Sequence, residues 1–304
     1  MYNDFVTIAI ITRDRRESLG RTLDVVCSLN YPNYEVIVVD NGSIDNTEEV
    51  VRAHNAKYIR GKIEDGFSGS RQRALDNSSG EIIIWCDDDC MPMAGWVESY
   101  VAMFNSDHGF GMIGGGVVNI NFPQKSQFKG RSVLGINGQL HFVEDPYTAE
   151  FYGNLNLAMR RSVVDEIGGY DPYFVGGLEE IDLAFRVRSH GYKVGYNDKA
   201  VVEHYHNEVN YKKGRLFKGQ QFMRLYFFLK NCPPRTAIVW VKFVLNEMDI
   251  FCREFFKCCK AILSFVKNKN IRMLHVNMIE MTNIVSSRFW APLILYRASR
   301  SQYK

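Results

Sequence analysis

SGEIIIWCDDDC, residues 79–90, sets an unbroken apolar run against three consecutive aspartates. The run is β-branched and aromatic, preceded by Ser-Gly and followed by charge, which predicts a strand buried on both faces. A strand of that kind belongs to a parallel sheet covered by helices. Asp87, Asp88 and Asp89 then stand at its C-terminal end, the edge where open α/β sheets receive ligands. Adjacent carboxylates repel one another unless a cation sits among them, and Mg2+ or Mn2+ takes oxygen ligands of this kind. On that reading, replacing Asp89 by Asn should relieve repulsion in the ion-free protein. The plainer alternative is a solvated acidic turn leading into the helix after Pro92.

Moving outward, short β-branched runs alternate with helical patterns over the first 120 residues, the mark of βα units. Strands are expected at 6–11, 35–40, 57–60, 81–86 and 112–120, with helices at 17–28, 46–54, 68–77 and 94–104. Periodicity fades over 121–150, as in a long loop on a binding face. A second regular block follows, with a strand at 154–161, helices at 162–167 and 178–189, and two strand-like pieces, KVGYN and VVEHYH. The second strand delivers Asp40 into the turn NGSIDNT, either to meet a ribose or base or as ordinary turn chemistry with Asp45 and Asn46 capping the next helix. Thr12-Arg13-Asp14-Arg15 after the first strand carries no glycine, and no GxxxxGK[ST] occurs, so dinucleotide and P-loop readings both fail.

The chain has 304 residues, 46% hydrophobic and 23% charged, which excludes disordered and collagen-like classes. Its net charge of +3 hides a division: residues 1–204 hold 19 Lys+Arg against 29 Asp+Glu, while 205–304 hold 18 against 5. Half of the 20 phenylalanines fall in that basic part, where Phe251, Phe255, Cys258, Ile262 and Phe265 recur at helical spacing. This suits a helix on an anionic membrane surface, or one packed on the catalytic domain or in a homo-oligomer. Nucleic acid is not expected, because no binding motif accompanies the charge. Seven cysteines without a CxxC pair fit a reducing cytosol, and Cys86 and Cys90 read as packing residues. With no signal-like N-terminus and no uncharged run of membrane-spanning length, a cytoplasmic protein, peripheral at the inner face of the membrane, is expected.

Seven segments now stand in order: TIAIITRDR, YPNYEVIVVDNGSIDNT, EDGFSGSRQRAL, SGEIIIWCDDDC, GNLNLAMRRSVVDEIGGYD, GGLEEIDLAFRVRSHGYKV and VVEHYH. Together they resemble the inverting family-2 glycosyltransferases of the GT-A fold, of the type that builds bacterial cell-surface polysaccharides. The resemblance implies an α/β fold with a Rossmann-like, mainly parallel sheet over residues 1–207, followed by a mostly helical basic region over 208–304. It implies a nucleoside-diphosphate-sugar donor, Mn2+ or Mg2+ as cofactor, and a glycan or lipid-linked acceptor. Asp40 matches the nucleoside contact, and Asp87 and Asp89 match the DxD motif, with Asp88 between them; the resemblance implies that Asp89 binds the metal and that Asp87 lies near the ribose and is a second metal candidate. Asp65 and Arg71 match the region beside the nucleotide, although Gln72 stands where Asn is usual, and Arg71 also reads as a helix-surface residue. Glu180 matches the general base, where Asp is more usual, so Glu179 can share that role; Asp182 reads as the i,i+4 partner of Arg186. Of His204 and His206, His204 is preferred beside the metal, and Asn154 and Asn156 are expected to orient acceptor or diphosphate. The alternatives are a sugar-phosphate nucleotidyltransferase, which would need a Gly-rich first loop, and a non-catalytic nucleotide-binding scaffold at the membrane.

Overall fold

The computed structural model describes residues 3–124, 130–135, 140–205, 223–231, 237–268 and 285. The chain divides into two compact units, one of Met1–Val133 with His141–Asn210, the other of Leu134–Leu140 with Tyr211–Lys304.

In the first unit, β1 (Val6–Thr12), β2 (Tyr34–Asp40), β3 (Lys57–Arg60) and β4 (Ile82–Cys86) form where β-branched residues cluster. They join β5 (Cys90–Pro92), β6 (Phe110–Asn119), β10 (Asn156–Arg160) and β11 (Lys193–His204) in one eight-stranded sheet of order β3-β2-β1-β4-β10-β6-β11-β5. Neighbours pair in parallel throughout except at β10 and β5, which run against the rest. The chain leaves β1 toward β2 and β3, then returns to add β4 on the other side of β1. The switch point therefore lies between the tips of β1 and β4, where Thr12 and the aspartates meet.

Helices α1 (Arg16–Val26), α2 (Thr47–Arg52), α3 (Gly66–Asp76), α4 (Trp96–Ser106), α5 (Arg161–Glu166) and α6 (Glu179–Ser189) cover the sheet. Alternation along each strand sorts its side chains between two layers. Val6, Ile8, Ile10, Val36, Val38, Ile82 and Ile84 pack with Leu19, Leu23, Trp96, Tyr100 and Phe104 in one core. Ala9, Ile37, Ile83, Trp85, Leu157 and Met159 are equally buried on the other face. Full burial of one Val, Ile or Leu is worth about 1.5–3 kcal/mol, so this core carries the fold.

The two pieces KVGYN and VVEHYH form one strand, β11, with a register irregularity between Asn197 and Val201. The stretch 121–150 is not wholly loop: β7 (Arg131–Leu134) and β8 (Leu140–Phe142) join β9 (Phe151–Tyr152) in a small sheet of order β8-β7-β9. In the second unit, residues 223–231 form helix α7 and Ala237–Asn268 form the long helix α8. Phe228 of α7 stacks on Phe243 of α8, and Arg224 pairs with Glu247. No described helix is long and apolar enough to cross a membrane.

Candidate active site

The three aspartates have three different environments. Asp88 and Asp89 are buried, whereas the Asp87 side chain is 42% exposed. The Arg15 guanidinium, from the loop after β1, reaches Oδ1 of Asp88 at 2.6 Å and Oδ2 of Asp89 at 2.5 Å. Thr12 Oγ1 donates to the other Asp88 oxygen at 2.6 Å. Burial pushes the Asp88 carboxyl up to about 7 against the pull of Arg15. Burial acts the same way on Asp89 but is outweighed by the His204 hydrogen bond and the Arg15 charge, which hold it well below the usual carboxylate range. The expectation that losing Asp89 relieves repulsion is therefore corrected: this carboxylate is the one stabilised by its surroundings. Sequence reasoning missed Arg15. Its signal was present, since three carboxylates at one strand tip call for a cation, and arginines stand at 13 and 15 in the loop after β1 and at 16 at the start of α1.

His204 closes β11 opposite Cys90 of β5. Its Nε2 lies 3.4 Å from Asp89 Oδ1, and its Nδ1 is 2.9 Å from Asn119 Oδ1. Donor atoms of Asp89, His204 and Cys90 all fall within 4.8 Å of one another. Cys90 is fully buried and burial raises its thiol well above the ordinary value; a soft sulfur ligand does not suit an oxygen-preferring ion, so Cys90 reads as packing, as does Cys86. One carboxylate and one imidazole with an anchored second nitrogen remain, a donor set that fits Mn2+ or Mg2+. Asp87 does not belong to this group. It faces Arg71, with Nη2 to Oδ1 at 4.0 Å. His206 lies outside the described residues.

Arg71 is buried, not a helix-surface residue. On α3 it packs its guanidinium 4.8 Å from the Trp85 ring and donates from Nε to Glu179 Oε1 at 3.1 Å. It thus links the carboxylate at the β4 tip to the acidic pair that opens α6. That pair follows Gly177 and Leu178, both at positive φ, 121° and 70°. A leucine held in the left-handed region stores strain, and here it immediately precedes the first turn of α6, which carries the acidic pair. Glu179 is buried, its Oε2 has no partner among the described residues, and Asn154 Nδ2 lies 3.4 Å from its Oε1. Burial raises its carboxyl despite the Arg71 charge. Glu180 is half-buried, and desolvation together with the charge of Glu179 pushes it up to about 8. Asp182 pairs with Arg186 at 2.9 Å, as the i,i+4 spacing predicts.

Other sequence candidates are already engaged within the protein. Asp40 is fully buried at the β2 tip, accepting from Ser43 N at 2.8 Å and from Tyr58 and Arg60 at 2.7 Å each. Burial would raise its carboxyl, but these hydrogen bonds and the Arg60 charge lower it. Asp65 accepts from Lys62 N at 3.1 Å and Arg73 at 2.5 Å, tying down the start of α3. Asn154 sits in the site, with Tyr170 3.3 Å from its Oδ1. Asn156 does not. Its Oδ1 accepts from Trp96 and Tyr100, and its Nδ2 donates to the carbonyls of Gly116 and Ala200, all at 2.8 Å. With both donors and both acceptor positions used, it stitches β10 to β6, β11 and α4 and has nothing left for substrate.

Comparison with known proteins identifies the family and the fold. The sequence model described as "Glycosyl transferase family 2" matches residues 7–168, more than half of the chain. Glycosyltransferase AglE of Haloferax volcanii is 30% identical over 226 residues, covering 71% of this chain and 73% of its own. A glucosyl-dolichyl phosphate glucuronosyltransferase of the same organism is 25% identical over 184 residues, 55% of each chain, so this protein spans about half of that relative. Among solved structures, the mannosyltransferase PcManGT of Pyrobaculum calidifontis, in complex with GDP-Man and Mn2+, superposes with a TM-score of 0.57 at 16% identity, covering 100% of this chain and 82% of its own. That likeness bears on the fold, which is the GT-A arrangement.

Proposed function

Because the chain belongs to glycosyltransferase family 2, we propose that it moves a sugar, with inversion, from a nucleoside-diphosphate-sugar to a hydroxyl of a glycan or lipid-linked acceptor, in cell-surface polysaccharide synthesis. The observation that carries this reading is a chain of contacts at the β4 tip: His204 beside Asp89, and Arg71 between Asp87 of the same aspartate run and Glu179 of the acidic pair that opens α6. The relative that acts on a dolichyl phosphate glucoside and the structure solved with GDP-Man and Mn2+ support a lipid-linked acceptor and a divalent cation, respectively.

Asp89 and His204 would hold the ion. When bound, it supplies positive charge that stabilises the departing diphosphate. Asp40 would face the nucleoside, with Asp65 in the turn beside it, and Asp87 the ribose. Asn154 would orient acceptor or diphosphate. Glu179, fixed by Arg71, positions its neighbour. Glu180 takes the proton from the acceptor hydroxyl as that oxygen bonds to the anomeric carbon, while the bond from that carbon to the diphosphate oxygen breaks and its electron pair leaves with the nucleoside diphosphate. A carboxylate pushed up to about 8 is a stronger base than an exposed one and is matched to a near-neutral working pH. One displacement inverts the configuration.

The test is release of nucleoside diphosphate from a panel of nucleotide sugars with Mn2+ or Mg2+. Turnover with at least one donor, abolished by chelation, is expected. No release from any donor with candidate acceptors present, or release unaffected by chelation, would overturn the metal-dependent reading.

A further inference from the structure

We infer that helix α8 docks the protein on an anionic lipid surface, a conclusion independent of the reaction. Along α8, Val241, Val244, Leu245, Met248, Phe251 and Phe255 are 38–59% exposed. Their spacing of 3, 4, 7, 10 and 14 residues from the first places them on one side of a helix at 100° per residue. The stripe runs about 21 Å at a rise of 1.5 Å per residue. Phe243, Ile250, Glu254 and Cys258 form the buried side, so Cys258, expected on the aromatic face, belongs to the packed one. Phe256 extends the stripe and is 64% exposed. Arg253, Lys257 and Lys260 follow at i, i+4 and i+7, all exposed, along one border of the apolar stripe. An apolar band edged by cations on long stems is the form in which a helix lies in a headgroup layer, the stems reaching outward while the rings enter.

Charge decides the occupant. Residues 205–304 hold 18 Lys+Arg and 5 Asp+Glu. Three of those acids pair with bases, Glu247 with Arg224, Asp249 with Arg253 and Glu254 with Lys257, which leaves 15 Lys+Arg against 2 Asp+Glu, a surplus of 13. A second copy seated on the stripe would bring two such surpluses together. An anionic bilayer neutralises them, and each basic residue near it contributes attraction that fades over a Debye length of about 8 Å at physiological salt.

The experiment is flotation of the full chain with vesicles of mixed phosphatidylcholine and phosphatidylglycerol, against phosphatidylcholine alone, at low and high salt. Flotation with the anionic vesicles is expected, weakened but not abolished by salt. The pair F251E/F255E should lower the partition coefficient at least about tenfold, the order expected from losing the burial of a single aromatic ring. Circular dichroism establishes that the pair folds. Should it not, Lys260→Glu with Arg253→Glu serves instead, and should weaken binding and flatten its salt dependence. Absence of flotation at low salt, equal flotation of folded variants and wild type, or a stable dimer that F251E/F255E dissolves without any vesicle binding would each overturn the proposal.

Discussion

Replacing Asn156 by Ala separates a structural amide from a substrate-binding one. The side chain is 2% exposed and makes four hydrogen bonds of 2.8 Å. After truncation the Tyr100 hydroxyl keeps the Asn156 backbone carbonyl at 3.2 Å, but the Trp96 indole N–H loses its partner. An orphaned buried donor costs about 1–3 kcal/mol and each of the two Nδ2 hydrogen bonds lost about 0.5–1.5 kcal/mol, which together give roughly 2–6 kcal/mol. At about 2–4 °C per kcal/mol for a domain of this size, Tm should fall by at least about 4 °C. Chemical denaturation followed by Trp fluorescence measures the loss, and thermal shift with nucleotide sugars measures donor binding by the fraction still folded. A stability change below about 1 kcal/mol accompanied by loss of donor binding would refute the structural assignment and return Asn156 to the substrate.

Further outcomes follow from the same cleft. Glu180→Gln should lower turnover by roughly 10²-fold or more with donor affinity little changed, measured by steady-state kinetics and calorimetry; greater damage from Glu179→Gln would move the base one residue earlier. Since burial and Glu179 raise Glu180 to about 8, its basic form grows as pH rises, so kcat/KM should climb toward pH 8 in wild type and lose that limb in Glu180→Gln. Asp89→Asn should destabilise the metal-free protein by about 1–3 kcal/mol by unpairing a buried hydrogen-bond partner, and should abolish Mn2+ stabilisation in a melting assay; a variant that melts no lower than wild type would restore the repulsion argument. Arg15→Met should lower metal-free stability while Asp88→Asn in that background recovers part of the loss, since the second change removes the charge left without its cation; no recovery would show that Arg15 acts elsewhere.

Strands β1, β2, β3 and β4 were legible because buried parallel strands write continuous β-branched runs, and the helices between them because their apolar residues keep a 3.6-residue period. β5 was not, being three residues ending in Pro92, a strand only by virtue of the β11 edge it pairs with. β11 was read as two pieces since Asp198 and Lys199 interrupt its apolar pattern at the irregularity. At the site, motif order indicated Asp89, Arg71, Glu180 and His204; His204 lies beside Asp89, and Arg71 bridges Asp87 and Glu179. It could not separate Asn154 from Asn156, two residues apart on the approach to one strand, because what each amide meets is decided by β6 and α4, far away in sequence. Nor could it grade the three aspartates, whose environments differ through Thr12, Arg15, Arg71 and His204.

The glycines at 114 and 115 in β6 extend this dependence. A Cβ at Gly114 would enter the Tyr152 ring, and one at Gly115 would collide with the Asn156 amide and the Tyr100 hydroxyl. The centre of the sheet is thus moulded by absent side chains on one strand and filled by large ones from its neighbours. No single amino-acid replacement at either glycine can be accommodated without a simultaneous change in a partner, and changing the Gly115 partners breaks the Trp96 and Tyr100 linkages. Mutational drift at this spot must cross a deep valley, so these six residues should be inherited as one block while the surrounding loops vary freely.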